Sequence, residues 1–398
     1  MILLDFQTEG DHHDLISNTM ICSCLAHRVH YIWVVKLILQ PDDGVTPLIK
    51  AIDAAKKTIE LAIFRFDRTD MQHALERAVA RGVSVHALIT NKSRGGERDL
   101  RKLEMDFLPA GIEVSRTADD LLRYHYKFMI VDRQTLYVFT FNYTYLDIGS
   151  TRSFAVITSN SDLVREATRL FEADVKRQAY TPELETFLVS PINARQELSR
   201  FIEKSEKQLL IYDPEISDPR MIRLLRERAK AGVEIRIIGR VKKDSSKLGA
   251  SGLMRMRFHT RTIVRDRHTA FLGSQSLREA ELNRRRELGI VIHDRDVVHS
   301  LLKVFESDWS TLVPRIEETE EDLVPANRVM KRVAKAVVRD LPLEPLVERA
   351  LKQALNDMPD LNVAGHKFED TLEDAVREAV EDTVSHIVRE TVEAEART

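Results

Sequence analysis

The hydrophobic and polar positions of this 398-residue chain follow a pattern that occurs twice. Apolar residues at helical spacing between Pro47 and Lys57 precede the apolar run Ile59–Phe64, which has the length of a buried strand. The same order returns in the helical segment from Glu197 to Lys207 and the apolar run Leu209–Tyr212. A repeat of this length predicts two similar halves, each with helices packed on strands.

Two further features recur in both halves. A second helix follows the strand and stops at Gly82 in the first half and at Gly232 in the second. Glycine is the usual residue in the left-handed position that ends a helix, so we expect a new strand to start after each. Each half then closes with a helix ending in Phe-Glu-x-Asp, at residues 171–174 and 305–308.

A histidine motif, His-x-cation-x4-Asp, gives the repeat its candidate chemistry. The motif occurs as His125, Lys127 and Asp132 in the first half and as His259, Arg261 and Asp266 in the second. In a strand, residues two apart share a face, so each histidine is predicted to lie beside its cation. An imidazole next to a positive charge suits attack on a phosphate ester. Two copies supply a nucleophile and a proton donor, with rings expected within roughly 5–8 Å of each other.

A second pair of similar segments follows the two motifs, each at the same distance from the motif aspartate. The segments read Phe139-Thr140-Phe141-Asn142 and Gly273-Ser274-Gln275-Ser276. With these segments, the chain resembles the phospholipase D superfamily, whose signature is His-x-Lys-x4-Asp followed by Gly-Ser-x-Asn, present twice in most members. The resemblance covers most of the chain, from residue 37 to residue 312.

The resemblance implies a fold and a domain organisation. It implies an α/β protein with two phospholipase D-like halves, each a mixed β-sheet flanked by helices, related by a pseudo-two-fold, to which we add a helical C-terminal extension. The predicted divisions are a poorly ordered N-terminal extension (1–36), the first half (37–180), the second half (181–314) and an acidic helical tail (315–398).

The resemblance also implies a shared active site with a covalent phosphohistidine intermediate and with no metal or cofactor. By position, the predicted catalytic residues are His125, Lys127, His259, Arg261 and Glu287. The predicted phosphate-binding residues are Asn142, Thr140, Ser274 and Ser276, whereas Asp132 and Asp266 are expected to fix the backbone. The chain departs from the signature at Phe139, Arg261 and Ser276, and Thr140 is a conservative replacement of the motif serine.

Glu287 stands at the spacing where the family places a carboxylate that hydrogen-bonds the motif histidine. We therefore expect Glu287 to orient His259 and to stabilise its cationic form. The equivalent residue of the first half is Ser153, which leaves His125 without such a partner. The family makes the first histidine the nucleophile, while the Glu287 argument favours the second, so the roles stay open.

Three functions compete at this point: a phosphodiesterase that cleaves or transfers a phosphatidyl group, a nuclease, and a catalytically weak phosphate-binding relative. A lipid substrate predicts an aromatic cleft mouth, for which the candidates are Phe128, Phe139, Phe141, Tyr143 and Tyr145. A nuclease predicts a continuous basic groove. Residues 1–315 carry a net charge of +6, a modest surplus that suits an anionic substrate but is no nucleic-acid signature.

The remaining features bear on location and partners. Residues 316–398 carry a net charge of −9, and the apolar stripe of their last helix is predicted to pack against neighbours or a second subunit. Cys22 and Cys24 are the chain's two cysteines, and their spacing to nearby histidines does not match the common zinc patterns. No apolar run reaches membrane-spanning length, so the protein is expected to be cytoplasmic or peripheral at a membrane surface.

Overall fold

The computed structural model describes residues 35–91, 97–242, 250–252 and 256–312. The predictions for the N-terminal extension up to residue 34, with Cys22 and Cys24, and for the acidic helical tail lie outside the described residues. None of the helices in the described ranges combines the length and the apolar character needed to cross a bilayer.

The first half alternates helices and strands as the repeat predicts. Its elements are β1 (Val35–Gln40), α1 (Thr46–Ala54), β2 (Thr58–Ile63), α2 (Thr69–Ala80), β3 (Ser84–Ile89), α3 (Glu97–Phe107), β4 (Glu113–Arg116), β5 (Arg123–Tyr124), β6 (Phe128–Val131), β7 (Thr135–Phe139), α4 (Tyr145–Ser150), β8 (Ser153–Thr158) and α5 (Ser161–Val175). Val35 and Lys36 therefore belong to a strand of the fold, and the prediction that they lie in the N-terminal extension is wrong.

The second half follows the same order. Its elements are β9 (Phe187–Ser190), α6 (Ala194–Glu203), β10 (Gln208–Ile216), α7 (Pro219–Lys230), β11 (Glu234–Val241), β12 (Ala250–Gly252), β13 (Arg261–Arg265), β14 (Thr269–Gly273), α8 (Glu279–Asn283), β15 (Arg285–Ile292) and α9 (Arg295–Ser310). Gly82 and Gly232 end α2 and α7 with φ angles of 86° and 92°, as expected of glycine at the end of a helix.

Both sheets are mixed. In the first, the strand order is β1-β8-β7-β6-β2-β3-β4, with β2, β3 and β4 parallel and the others antiparallel to their neighbours. In the second, β11, β10, β13, β14, β15 and β9 follow one another, with β10 and β11 parallel. The α/β prediction is confirmed, and each histidine motif leads into the strand beside the central parallel pair.

The aspartate of each motif anchors the turn that follows its strand. The Asp132 carboxylate accepts hydrogen bonds of 2.6–3.0 Å from the backbone amides of residues 56–58. In the second half, the carboxylate of Asp266 accepts from the amides of residues 206–208 at 2.7–3.2 Å. Each carboxylate thus ties the end of the motif strand to the loop before β2 or β10 and sets the position of that strand.

Two buried ion pairs join the halves reciprocally. Arg286 of the second half donates to Asp174 of the first at 3.0 Å, and Arg152 of the first half donates to Asp308 of the second at 3.0 Å. The two aspartates are the last residues of the repeated Phe-Glu-x-Asp segments, and the two arginines stand ten residues after Asn142 and Ser276. The interface therefore follows the pseudo-two-fold: each half contributes one arginine and one aspartate, and each arginine pairs with the aspartate of the other half.

A tyrosine completes each pair. The hydroxyls of Tyr126 and Tyr212 donate to Asp174 and Asp308, each at 2.7 Å. Because both carboxylates are almost fully buried, each needs these donors to offset its loss of hydration. Removal of a single partner would leave the other charge buried without compensation.

We predict that Asp174→Ala destabilises the protein by about 3–5 kcal/mol, because the buried guanidinium of Arg286 would lose its counter-charge. Urea unfolding followed by circular dichroism would measure the change. Asp53→Ala is the matched control, since it breaks the exposed Arg77–Asp53 pair and should cost at most about 1 kcal/mol. Equal effects of the two substitutions would contradict the role of the Arg286–Asp174 pair.

Candidate active site

The two motif histidines face each other where the halves meet. The ring centroids of His125 and His259 are 6.4 Å apart, and the ring planes are 77° apart. This distance lies within the range expected of two imidazoles that share one phosphorus atom. The folded chain therefore places the two histidines in one site, as the repeat predicts.

Neither histidine lies inside its motif strand, and that part of the prediction is wrong. β6 starts at Phe128 and β13 starts at Arg261, so both histidines belong to extended segments just before the strands. The backbone amide of His125 donates to the carbonyl of Arg286 at 2.8 Å, and that of His259 donates to the carbonyl of Arg152 at 2.9 Å. Each histidine is thus positioned by the backbone of the other half.

Glu287 also contacts the histidine of the other half rather than that of its own. Its carboxylate oxygens lie 3.0 and 3.1 Å from Nδ1 of His125, not of His259. The prediction that Glu287 orients His259 and that His125 lacks a carboxylate is therefore wrong. The physical reason is that β15, which carries Glu287, runs beside β5, the strand that leads into His125.

His259 has a carboxylate of its own, which the sequence reasoning missed. Oδ2 of Asp147 lies 3.2 Å from Nδ1 of His259, close to the ring but off the direction of a well-aligned hydrogen bond. The amide and the side chain of Asn142 donate to the same oxygen at 2.9 and 2.8 Å. Arg257 donates to Oδ1 at 2.6 Å. Three donor groups of Asn142 and Arg257 thus hold this carboxylate against the ring.

The internal repeat contained a signal for Asp147. It stands five residues after Asn142, and Glu281 stands five residues after Ser276, the equivalent position of the second half. Glu281 accepts from the backbone amide of Ser276 at 2.6 Å, as Asp147 does from that of Asn142. An acidic residue at this offset in both halves could have been recognised as part of the motif.

The two motif cations are buried beside the histidines. Nζ of Lys127 lies 2.9 Å from Nε2 of His125, and burial lowers the pKa of Lys127 to about 7. Arg261 donates from Nε to the hydroxyl of Ser276 at 3.1 Å. Its Nη1 is buried and has no hydrogen-bond partner among the described residues. A buried guanidinium nitrogen without an acceptor is suited to an incoming anion.

The four predicted phosphate-binding residues divide into two kinds. Asn142 and Ser276 lie beside Asp147 and Arg261, within the site. The hydroxyls of Thr140 and Ser274 instead bond to the backbone of the neighbouring strands, at Phe154 and Leu288. Both are fully buried, and the Ser274 hydroxyl also hydrogen-bonds Glu287. That Thr140 and Ser274 contact phosphate stays a prediction.

Burial shifts the pKa values of the two histidines and of Glu287 so that the neutral form of each group is favoured. Burial, and then the charge of Lys127, hold the pKa of His125 well below its usual range. Burial, and then Arg261, lower the pKa of His259 to about 4, although Asp147 acts in the opposite direction. Burial also raises the pKa of Glu287. A bound anion would oppose the lowered pKa values of the two histidines, because it stabilises the cationic form of each imidazole.

A cleft of about 530 Å³ opens next to the histidine pair. Asn142, Asp147 and Arg257 line it, as does Phe64, whose ring centre lies 4.5 Å from that of His125. The walls contain both apolar and charged side chains, among them Phe66, Leu103, Leu146, Arg65, Lys102, Asp67 and Asp106. In the described ranges, no three histidine, cysteine or acidic side chains cluster as a metal site would require.

The arginine run 284–286 divides among three roles. Arg286 is an interface residue, Arg285 donates to Glu281 at 3.1 Å, and Arg284 forms an exposed pair with Glu279.

The aromatic candidates for the cleft mouth differ in exposure. Phe128, Phe139, Phe141 and Tyr143 are fully buried in the core, whereas Tyr145 is 49% exposed.

Comparison with known proteins agrees with this geometry. A family model described as "Cardiolipin synthase, PLD-like domain" matches residues 48–175 and 198–309. The mitochondrial cardiolipin hydrolases of Mus musculus and Danio rerio are 31% and 29% identical over 137 residues, which is 33% and 32% of this chain. The match spans 58% and 56% of those relatives, little more than half of their length.

Two solved structures share the fold. Polyphosphate kinase from Porphyromonas gingivalis superposes with a TM-score of 0.59 and 19% identity, over 69% of this chain and 50% of that one. Phosphatidylserine synthase from Haemophilus influenzae Rd KW20 gives a TM-score of 0.58 and 12% identity, over 76% of this chain and 93% of that one. At these identities the likeness concerns the fold alone. Because the family model matches both repeats and more than half of the chain, the protein belongs to the phospholipase D-like family with domains of the cardiolipin synthase type.

Proposed function

We propose that this protein is a phosphodiesterase that cleaves or transfers a phosphatidyl group through a phosphohistidine intermediate. The observation that carries the proposal is the pair of facing imidazoles, 6.4 Å apart, with Glu287 against Nδ1 of one and Asp147 against Nδ1 of the other. A carboxylate at Nδ1 leaves Nε2 as the reactive nitrogen of each ring. Two reactive nitrogens on opposite sides of one phosphorus suit a two-step displacement.

His125 is the better candidate for the nucleophile. Both oxygens of Glu287 contact its Nδ1, and its side chain is almost fully buried. Its Nε2 faces the ammonium of Lys127, so this nitrogen carries a lone pair rather than a proton when the lysine is charged. A bound phosphate would draw the ammonium towards its own oxygens and free that lone pair for attack.

His259 is the better candidate for the proton carrier. Its side chain is 15% exposed, and its carboxylate partner Asp147 lines the open cleft. In the first step, Nε2 of His125 bonds to phosphorus, the bond to the leaving oxygen breaks, and His259 protonates that oxygen. In the second step, His259 takes a proton from water or an acceptor alcohol, whose oxygen bonds to phosphorus as the phosphorus–nitrogen bond breaks.

Lys127 and Arg261 would stabilise the charge that develops on the phosphate oxygens. The unpartnered Nη1 of Arg261 supports this role, as does the position of Lys127 beside the attacking nitrogen. Asn142 and Ser276 would hydrogen-bond the same phosphate oxygens or the cationic side chains that contact them. The names of the curated relatives support a phospholipid as the substrate, since both are cardiolipin hydrolases.

A prediction about turnover separates the two histidines. With bis-p-nitrophenyl phosphate, whose leaving group needs no proton donor, His259→Ala should release one equivalent of nitrophenol rapidly and then stall. The stalled protein should carry the remaining p-nitrophenyl phosphoryl group on His125, because the base that activates water is missing. Peptide mass spectrometry would locate it. His125→Ala should show no burst, and a burst with labelling of His259 would reverse the roles.

These assays would contain EDTA, because the two cations are proposed to supply the positive charge that a metal provides in other phosphodiesterases. Turnover by the unaltered protein should be the same with and without the chelator. A loss of turnover that zinc or magnesium restores would overturn the mechanism.

Phosphatidylglycerol, phosphatidylcholine and a DNA oligonucleotide would be compared as substrates, and cleavage of DNA alone would identify a nuclease.

A further prediction concerns Asp147 as the positioning residue of His259. Asp147→Asn removes a negative charge that raises the pKa of His259, so the cationic form becomes rarer at every pH. Turnover of phosphatidylglycerol should fall roughly 100-fold, and the pH optimum should move to a lower pH. Ser153→Ala is the matched control at the position equivalent to Glu287 and should keep the profile. An unchanged pH profile in Asp147→Asn would exclude this role.

The last prediction tests the departure from the family motif at Arg261. Arg261→Lys should lower turnover roughly 10- to 100-fold, because lysine cannot both reach the Ser276 hydroxyl and present a second nitrogen to phosphate. The double variant Arg261→Lys/Ser276→Asn copies the Lys127–Asn142 pair of the first half and should recover part of the loss. Higher activity in the single variant would show that the arginine is merely degenerate.

A further inference from the structure

A second pocket, of about 270 Å³, lies in the first half, and among the described residues it shares none with the cleft beside the histidines. Its walls come from β2, β3, β4, α5 and the turn after β6. They include three carboxylates, those of Glu60, Glu113 and Glu172, together with His86 and Arg133. We call this opening the α5 pocket. Its residues take no part in the proposed reaction.

Glu60 brings a buried carboxyl group to the α5 pocket. The residue is 5% exposed, and its Oε1 accepts a hydrogen bond of 2.8 Å from Nε of Arg133. Its Oε2 is buried and has no hydrogen-bond partner among the described residues. The same is true of the hydroxyl of Thr58, which lies two residues earlier on β2 and lines the same pocket. Because a buried polar oxygen is costly to leave unpaired, these two oxygens are suited to a ligand that donates hydrogen bonds.

The pseudo-two-fold gives the α5 pocket an equivalent place in the second half. Glu60 and Leu210 each stand two residues after the strand residue whose amide binds the motif aspartate. Strand pairing then sets Glu60 opposite His86 and Leu210 opposite Arg236. In both halves, the repeated Phe-Glu-x-Asp segment borders this place from the helix side. The two places can therefore be compared residue by residue.

In the second half, this place holds a guanidinium group. Nη1 and Nη2 of Arg236 donate to the two carboxylate oxygens of Glu306 at 2.8 and 2.6 Å. The same guanidinium lies 5.7 Å from the ring centre of Phe305 and 5.4 Å from that of Trp309. A planar cation with five donors suits a carboxylate beside aromatic rings. The fold thus shows by its own example which chemical group this place accepts.

In the first half, smaller side chains stand at two of these positions. His86 replaces Arg236, and Val175 replaces Trp309, and both line the α5 pocket. At a third position, Glu60 supplies a carboxyl group where the second half has a leucine. The first half therefore keeps the aromatic and acidic surroundings of a guanidinium, adds an acceptor and leaves a space.

The charges that line the α5 pocket leave room for one further cation. Arg133 pairs with Glu60 and Glu172, each at 2.8 Å, and Lys176 lies 3.9 Å from Glu172. Burial lowers the pKa of His86, so its ring is neutral at pH 7. Three carboxylates thus face two cations among the lining residues, and one negative charge remains without a counter-charge.

We propose that the α5 pocket binds a small ligand through a guanidinium group, in the place that Arg236 fills in the second half. The N–H groups of the ligand would donate to Oε2 of Glu60 and to the hydroxyl of Thr58, and its charge would balance the third carboxylate. The inference is independent of the proposed function, because the α5 pocket contains none of the residues assigned to the reaction.

The test uses n-propylguanidinium, which copies the end of an arginine side chain, in calorimetric titrations of the full chain. The matched control ligand is n-propylurea, which has nearly the same shape but no charge. The unaltered protein should bind the cation, and the urea should bind at least about tenfold more weakly, because its hydrogen bonds are not charge-assisted. No binding of the cation, or equal binding of the two ligands, would overturn the proposal.

Two variants locate the binding site. His86→Arg restores the tethered guanidinium of the second half and should abolish binding while the protein stays folded, since the fold already accommodates this arrangement at Arg236. Glu60→Gln keeps the volume of the side chain and should weaken binding at least about tenfold. Glu306→Gln, the equivalent change outside the α5 pocket, should leave binding unaltered. Circular dichroism would confirm that all three variants are folded.

The carboxylates of the active-site cleft offer the cation another place to bind, and Asp106 lines that cleft. Asp106→Asn should bind n-propylguanidinium as the unaltered protein does. Loss of binding in this variant, with full binding in Glu60→Gln and His86→Arg, would place the ligand in the cleft and overturn the proposal.

Discussion

Arg286 and Arg152 each cross from one half of the molecule to a buried carboxylate of the other, at Asp174 and Asp308. The carbonyl groups of the same two arginines accept the backbone amides of His125 and His259. One residue in each half therefore carries both the charge that holds the interface and the backbone group that places the opposite histidine. Because a buried pair is strongly destabilised when one partner is lost, interface and site are expected to be lost together.

The pseudo-two-fold governs the positions of the histidines but not their surroundings. Glu287 lies against His125, while the equivalent Ser153 leaves the corresponding place at His259 to Asp147, which comes from a different element. Asp147 is also held by Arg257 at the open cleft, whereas Glu287 is fully buried. A symmetric pair of imidazoles thus acquires one enclosed member and one that faces the cleft, and this difference supports the proposed division into nucleophile and proton carrier.

Much of the fold and part of the site could be predicted from the sequence. The helical and strand periodicities, with Gly82 and Gly232 at the helix ends, predict two α/β halves because these signals are local. Two motifs in register predict that His125 and His259 share one site, because a repeated motif in related halves converges at the axis between them. Local patterns of this kind can be recognised in the sequence because each depends only on neighbours within a few residues.

The tertiary structure decided which groups act on which. Glu287 follows His259 in sequence but contacts His125, because β15 pairs with a segment of the opposite half. Thr140 and Ser274 stand at the serine position of the signature, yet their hydroxyls are bonded to neighbouring strands. The sequence determined the repeat, its motifs and its folded halves through local periodicity. The carboxylate partner of each motif histidine was settled by packing between the halves, since contacts over such long separations leave no spacing in the chain that would reveal them.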